Sequence, residues 1–346
     1  MSTAAFELPP LARFLREHIP DLQSPLSIQA FEGGQSNPTY LLSAGSQRYV
    51  LRKKPAGALL PSAHAVDREY RVMSALAGSQ VPVPRMRVYC EDDSVIGTAF
   101  YVMDFVEGRI LWDPRLPEVG SAAERAAMYE QINRVIAALH SVDYAACGLG
   151  DYGRAEHYIE RQIGRWTKQY RASETERIEA MEQLIAWLPA NIPAGEMSAI
   201  AHGDLRLDNL IFHPSEPRVL AVLDWELSTI GHPLADLAYY MMAWRLNRQE
   251  FRGFGGEDLA PLGIPSEQAF LARYCERRGL APIAQNEWDF YLAFNMFRLA
   301  AILQGVLKRA LSGNAASAQG LENGRRTRPI AEAGWRQVEQ ILARPR

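Results

Sequence analysis

Residues 201–212 read AHGDLRLDNLIF, and residues 219–226 read VLAVLDWE. Together they hold His202-x-Asp204-x-x-x-x-Asn209, with Asp224 twenty residues after Asp204. Both pieces adjoin apolar, β-like runs, Leu210-Ile211-Phe212 and Val219 to Leu223. A polar loop held by buried strands is a place where reacting groups can be positioned accurately. An Asp, an Asn five residues later and an Asp on the next strand can converge on one point. That set suits a hydroxyl to be deprotonated, together with hard divalent cations that prefer oxygen ligands.

Working outward, the chain before this segment changes texture once. Residues 9–18 have Leu11, Phe14 and Leu15 at helical spacing, and the runs 26–32, 39–43 and 47–53 read as three short strands of an antiparallel meander. Residues 64–78 carry Val66, Tyr70, Met73, Leu76 and Ala77 at helical spacing, and Val-Pro-Val-Pro at 81–84 ends that helix. Two further strands are expected at 85–90 and 98–106. After a turn-rich connection, residues 121–142, 155–172 and 174–188 read as helices, and helices again dominate after the β-like segment at 198–226. The expected fold is α+β and two-lobed. A small antiparallel-sheet lobe spans residues 1–105, and a larger helical lobe spans 106–346 with a β-hairpin embedded in it.

Composition narrows the function. A length of 346 residues implies about two structural units. Thirty-seven basic residues against forty acidic ones give a net charge of −3, which argues against a general nucleic-acid binder. Cys90, Cys147 and Cys275 are widely spaced, so neither a disulfide framework nor a cysteine zinc site is expected, and a reducing cytoplasm is the expected location. The first twenty residues lack a basic segment followed by an apolar run, and no stretch approaches 18 uncharged apolar residues. Neither a secretory signal nor a membrane partner is therefore expected.

With these motifs in order, the chain resembles the aminoglycoside phosphotransferase and choline kinase group of the protein-kinase-like fold. The features GGQSNPTYLL, YVLRKKP, AHAVDREYRV and HGDLRLDN…LDWE resemble in particular the kinase-like domain fused to acyl-CoA dehydrogenases in animals. The resemblance implies ATP and Mg2+ as cofactors, bound between the lobes, and a small-molecule hydroxyl as phosphoryl acceptor. It suggests a hydroxyacyl-type acceptor such as a hydroxyacyl-CoA. A sugar, amino-alcohol or aminoglycoside kinase, and a nucleotide-binding protein without turnover, are the alternatives.

The resemblance also assigns roles. Asp204 corresponds to the catalytic base, Arg206 to a phosphate-contacting cation, and Asn209 and Asp224 to the metal ligands. Gly33, Gly34, Ser36 and Asn37 correspond to the loop over the phosphates. Aligning Tyr49-Val50-Leu51-Arg52 with the strand that carries a phosphate-pairing Lys puts Arg52 in its place, although Lys53 is next to it. Strand side chains alternate, so one of the two faces the nucleotide; Arg52 shares parity with Val50, and Lys53 is expected to face solvent. Glu69 corresponds to the helix carboxylate that holds the cation. Backbone groups of Asp104 and Val106 correspond to the adenine-binding hinge. His202 and Asp236 are expected to hold the loop. Arg165, Lys168 and Arg171 read as a solvated helix face, and the aromatic cluster at 288–297 as core. The late part of the chain has no dense acidic cluster, which disfavours a polycationic antibiotic.

Overall fold

The computed structural model describes residues 6–31, 37–55, 65–312 and 318–344. The chain forms two compact units that are not contiguous in sequence. The first comprises Met1–Ile110, Cys147–Leu149 and Asn209–Ser228; the second comprises Leu111–Ala146, Gly150–Asp208 and Thr229–Arg346.

The first unit is built on a five-stranded antiparallel sheet of order β1-β2-β3-β5-β4, from β1 (Leu26–Ala30), β2 (Thr39–Ala44), β3 (Gln47–Lys53), β4 (Met86–Cys90) and β5 (Phe100–Asp104). The first three strands are the meander expected from their spacing, with Tyr40 opposite Leu51 and Leu42 opposite Tyr49. Helix α1 (Leu8–His18) covers one face. Its Leu11 and Leu15 join Leu42, Leu51, Phe100 and Val102 in an apolar core. Helix α2 (Val66–Leu76) follows β3 and packs against β4 and β5, burying Val66, Glu69, Val72, Met73 and Leu76 at helical spacing. A single turn, α3 (Asp93–Ile96), is capped by the Asp92 carboxylate, which accepts from the Ser94 N–H.

A second sheet of order β6-β8-β9 completes this unit, from β6 (Arg109–Ile110), β8 (Leu210–Phe212) and β9 (Val219–Val222). A division at residue 105 puts the 210–222 hairpin in the later lobe. The structure groups it with the first unit instead, because Arg109 and Ile110 pair with Phe212 and Ile211. Gly108 makes this approach possible. A Cβ there would lie 2.2 Å from the Phe212 carbonyl oxygen.

Lys53 differs from expectation. It lies on the opposite sheet face from Arg52, but it is buried rather than solvated, at 6% exposure, with its ammonium 5.6 Å from the Phe6 ring. Phe6, just before α1, packs on that face. Burial pulls the Lys53 pKa down.

The second unit is mainly helical: α4 (Ala122–His140), α5 (Tyr158–Ser173), α6 (Glu179–Trp187), α7 (Pro233–Met241), α8 (Glu267–Arg278), α9 (Gln285–Leu311), α10 (Ala318–Gly324) and α11 (Thr327–Ala343). Ser121 and Ser266 cap α4 and α8 through their hydroxyls. By length and composition α9 could cross a membrane, but 78% of its most apolar window is buried in this unit, where α5, α7, α10 and α11 pack on it. Trp288, Phe290, Tyr291, Phe294 and Phe297 are core residues, as expected. Arg171 of the expected solvated face is exposed and pairs with Glu182. A two-stranded antiparallel pair, β7 (Ala199–Ala201) with β10 (Thr229–Gly231), brackets residues 202–228 in the chain.

His232, just before α7, stacks on Tyr291 with ring centroids 4.8 Å apart, and its Nδ1 has no partner among the described residues. Burial, aided by nearby His140, lowers its pKa from 6.5 to about 4. The folded state therefore binds this proton more weakly than the unfolded chain. Its contribution is complete above pH 6.5 and is lost as pH falls through about 4. The loss is about 3 kcal/mol. Urea unfolding of the wild type and His232→Phe at pH 7 and pH 4 is expected to show the wild type losing about 3 kcal/mol more than the variant. Equal losses would show that His232 is not the titrating group.

Candidate active site

In the second unit, β7 delivers His202, Gly203 and Asp204. Gly203 has φ 83°, a left-handed conformation that bends the chain sharply after the buried strand. The bend is fixed by Asp236, in the first turn of α7. Its carboxylate accepts from the N–H groups of His202 (2.9 Å) and Gly203 (2.8 Å), and from His140 Nε2 at 3.1 Å. Burial pushes the Asp236 pKa up, but His140 and these donors outweigh it and hold the carboxyl below its usual range. His202 is fully buried, and its Nδ1 accepts from the Asp204 N–H at 3.3 Å. Both residues hold the loop, as the sequence suggested.

The Asp204 side chain is largely buried, at 18% exposure. The Tyr239 hydroxyl donates to its Oδ1 at 2.8 Å, and Arg206 Nε lies 3.2 Å from the same oxygen. Arg206 also reaches Asp208 at 3.5 Å, as does Arg252. Beside Asp204 is a cleft lined by Leu205 to Asp208, by Trp112, and by Tyr239, Tyr240, Trp244, Phe251 and Arg252. Trp112 is 57% exposed, and the Arg252 guanidinium stacks over its ring at 5.2 Å. The cleft is thus an aromatic wall with two guanidinium groups and one carboxylate.

The first unit holds the remaining expected residues. Arg52 reaches across the sheet face to Glu69 at 3.3 Å, to Asp224 at 2.9 Å and to Glu226 at 3.3 Å. Glu69 is fully buried, so its oxygens need partners. It accepts from Asn37 Nδ2 at 2.9 Å and from the Tyr101 hydroxyl at 3.0 Å. Burial pushes the Glu69 carboxyl up to about 7, against the pull of Arg52. Burial disfavours the charged guanidinium too, but Glu69 and Asp224 outweigh it and raise the Arg52 pKa. Asn37 turns its amide inward to Glu69 and is 2% exposed, so its side chain braces the pair rather than projecting toward a phosphate. Gly33, Gly34 and Ser36 lie outside the described residues.

Asp224 has φ 64°, one of three left-handed non-glycine residues among the described ones. Asp tolerates that region better than most residues, and such strain concentrates at functional positions. Asn209 is nearly buried, and its carbonyl accepts the Leu223 N–H at 2.8 Å, which ties the two strand ends together. Arg52, Asn209 and Asp224 line one cavity of about 550 Å3, whose other walls include Val50, Met73, Met103 and Ile211. Asp104, Val106 and Gly108 lie along it too. The Asp104 side chain is held by Arg87 at 2.5 and 2.9 Å. Its N–H goes to the Arg85 carbonyl, and the Phe105 N–H goes to the Arg48 carbonyl.

A divalent cation fits this donor set. Asn209 and Asp224 offer oxygen ligands, and no group of three His, Cys, Asp or Glu able to hold a metal occurs among the described residues. One carboxylate with one amide is the sparse protein contribution that Mg2+ accepts when phosphates and water supply the rest. Four partners were not anticipated from sequence: Tyr239, Glu226, Tyr101 and Arg298. Glu226 stood inside the Asp-Trp-Glu motif; the others carry no signal in the sequence because they come from distant elements.

A five-stranded sheet with a braced Arg52, followed in the chain by Asp204, Asn209 and Asp224 on and beside buried strands, matches the architecture of small-molecule phosphotransferases. The chain belongs to the phosphotransferase enzyme family (APH), which matches residues 27–291. Acyl-CoA dehydrogenase family member 10 of Mus musculus is 50% identical over 313 residues, which is 90% of this chain and 29% of that relative. This chain thus spans less than a third of that protein. A candidate aminoglycoside phosphotransferase from Ralstonia eutropha matches with TM-score 0.89 at 53% identity, covering 97% of this chain and 99% of that one. Aminoglycoside phosphotransferase APH(4)-Ia, solved as a thermostable mutant with AMP-PNP and hygromycin B, shares the fold with TM-score 0.59 at 18% identity, covering 94% and 99%.

Proposed function

We propose that this protein transfers the γ-phosphoryl group of ATP, with Mg2+, to the hydroxyl of a small acceptor of hydroxyacyl type, such as a hydroxyacyl-CoA. The observation that carries this reading is the cleft beside Asp204. Its walls are aromatic and apolar, and its charged groups are Arg206, Arg252 and a single carboxylate, Asp208. An acceptor with an apolar body and an anionic or neutral head suits that lining; a polycation would meet two guanidinium groups. The acyl-CoA dehydrogenase name of the relative that contains a matching segment also favours an acyl substrate.

In this reading Asp204 orients the acceptor hydroxyl and takes its proton as the acceptor oxygen bonds to the γ-phosphorus and the bond from that phosphorus to the bridging oxygen breaks, with ADP leaving. Arg206 turns from Asp204 and Asp208 to the transferring group, where its planar donors match phosphoryl oxygens. Arg52, held by Glu69, pairs with the nucleotide phosphates. The backbone of Asp104 and Val106 meets adenine. Asn209 and Asp224 hold the metal, which neutralises phosphate charge when bound. The test is a screen with ATP consumption as readout, using 3- and 4-hydroxyacyl-CoAs, their free hydroxy acids, amino alcohols, sugars and aminoglycosides. Turnover at least about tenfold above the rate with water as acceptor is expected for hydroxyacyl compounds. Turnover confined to amino alcohols, sugars or aminoglycosides would overturn the acceptor assignment.

A further inference from the structure

Arg298 is a buried cation. It projects from α9, is 7% exposed, and pairs with no carboxylate among the described residues. Its guanidinium lies between two rings, 5.6 Å from Trp166 and 4.9 Å from Tyr239. One terminal nitrogen donates to the Gly203 carbonyl, in the peptide that leads into Asp204, while Nε has no hydrogen-bond partner among the described residues. A buried charge of this kind is costly unless surrounding groups compensate it. Here the compensation is a carbonyl dipole and two aromatic faces, which are modest partners for a full charge.

The position of this charge is informative. Tyr239 stands on α7, directly after the turn whose Asp236 fixes the Gly203 bend, and its hydroxyl donates to Asp204 Oδ1 at 2.8 Å. Arg298 thus touches the machinery twice, at the backbone before Asp204 and at the ring whose hydroxyl binds Asp204. A cation over the ring face draws electron density from the phenol, which makes its O–H a stronger donor. A donor fixed on one carboxylate oxygen also limits rotation of the group. Both effects favour an ionised Asp204 held in one orientation.

We propose that Tyr239 and Arg298 form a positioning relay that sets the orientation and the charge of the Asp204 carboxylate. The proposal rests on Asp204 being the base. Neither residue is assigned to touch substrate. Arg298 acts through Tyr239 and Gly203, and Tyr239 acts through Asp204.

The test uses the full chain with MgATP, read first with water as acceptor and then with any acceptor the screen identifies. Tyr239→Phe removes one hydroxyl and keeps the buried ring. It is expected to lower turnover about tenfold and to move the acidic limb of the pH–rate profile up by about one unit, with the KM for ATP unchanged. Arg298→Met, which keeps an apolar stem between the rings, should move the limb in the same direction, and Arg298→Lys should largely restore it. In an Asp204→Asn background, Tyr239→Phe should leave the residual rate unaltered, because the group it acts on is gone. An unmoved acidic limb in Tyr239→Phe, or an equal further loss in the Asp204→Asn background, would overturn the relay while leaving Asp204 as base. Near-normal turnover by Asp204→Asn alone would remove the base assignment, and the relay with it.

Discussion

Asp204→Asn is expected to fold normally and to bind nucleotide as the wild type does, yet to lose phosphoryl transfer by about 10²- to 10⁴-fold. The amide is nearly isosteric with the carboxylate. Its oxygen can still accept the Tyr239 hydroxyl, so the local hydrogen bonding at 2.8 Å can persist. The Gly203 bend depends on Asp236 and His140, which the substitution leaves untouched. What the amide cannot do is accept the proton of an attacking hydroxyl. Affinity and chemistry should therefore separate: nucleotide titration unchanged, kcat with the acceptor lost. Near-normal kcat would show that the proton leaves by another route.

The separation between what sequence revealed and what it concealed follows contact distance along the chain. The meander at 26–53 was legible because alternating apolar residues and tight turns specify a hairpin locally. The side of the sheet that Arg52 faces followed from strand parity, whereas Glu69 as its partner came from the family resemblance, since helical spacing alone left it a surface residue. The burial of Lys53 did not follow, because Phe6 and α1, distant in sequence from β3, cover the second face. The grouping of 209–228 with the first unit depends on β6, a two-residue strand too short to give a periodic signal. Asn37 sat in a loop whose glycines suggested phosphate contact, but its side chain was claimed by a buried carboxylate 32 residues away. Asp236 was recognisable as structural from the resemblance. Tyr239, three residues later, looked like one more aromatic in an apolar helix, because nothing local marks a hydroxyl that reaches Asp204.

Removing the Asp224 carboxylate is expected to weaken nucleotide binding when Mg2+ is present and not when it is absent. In the absence of metal, Asp224 holds Arg52 at 2.9 Å and adds negative charge to the cavity where phosphates are proposed to sit. Its loss leaves Arg52 with Glu69 and Glu226, lowers repulsion, and should leave metal-free ATP affinity equal or higher. With Mg2+ present, the same carboxylate is the charged ligand of a sparse donor set, and its loss should weaken MgATP binding at least about tenfold, or about 1.4 kcal/mol. Asp224→Ala carries a second burden, because Ala is strained at φ 64° whereas Asn tolerates that region. Asp224→Asn is therefore the cleaner variant, and a thermal midpoint closer to wild type than that of Asp224→Ala identifies the backbone contribution. Calorimetric titration of ATP into wild type and both variants, with and without Mg2+, reads both arms. A Mg2+ enhancement as large in the variants as in the wild type would show that Asp224 does not hold the metal, and that its ion pair with Arg52 is its whole role.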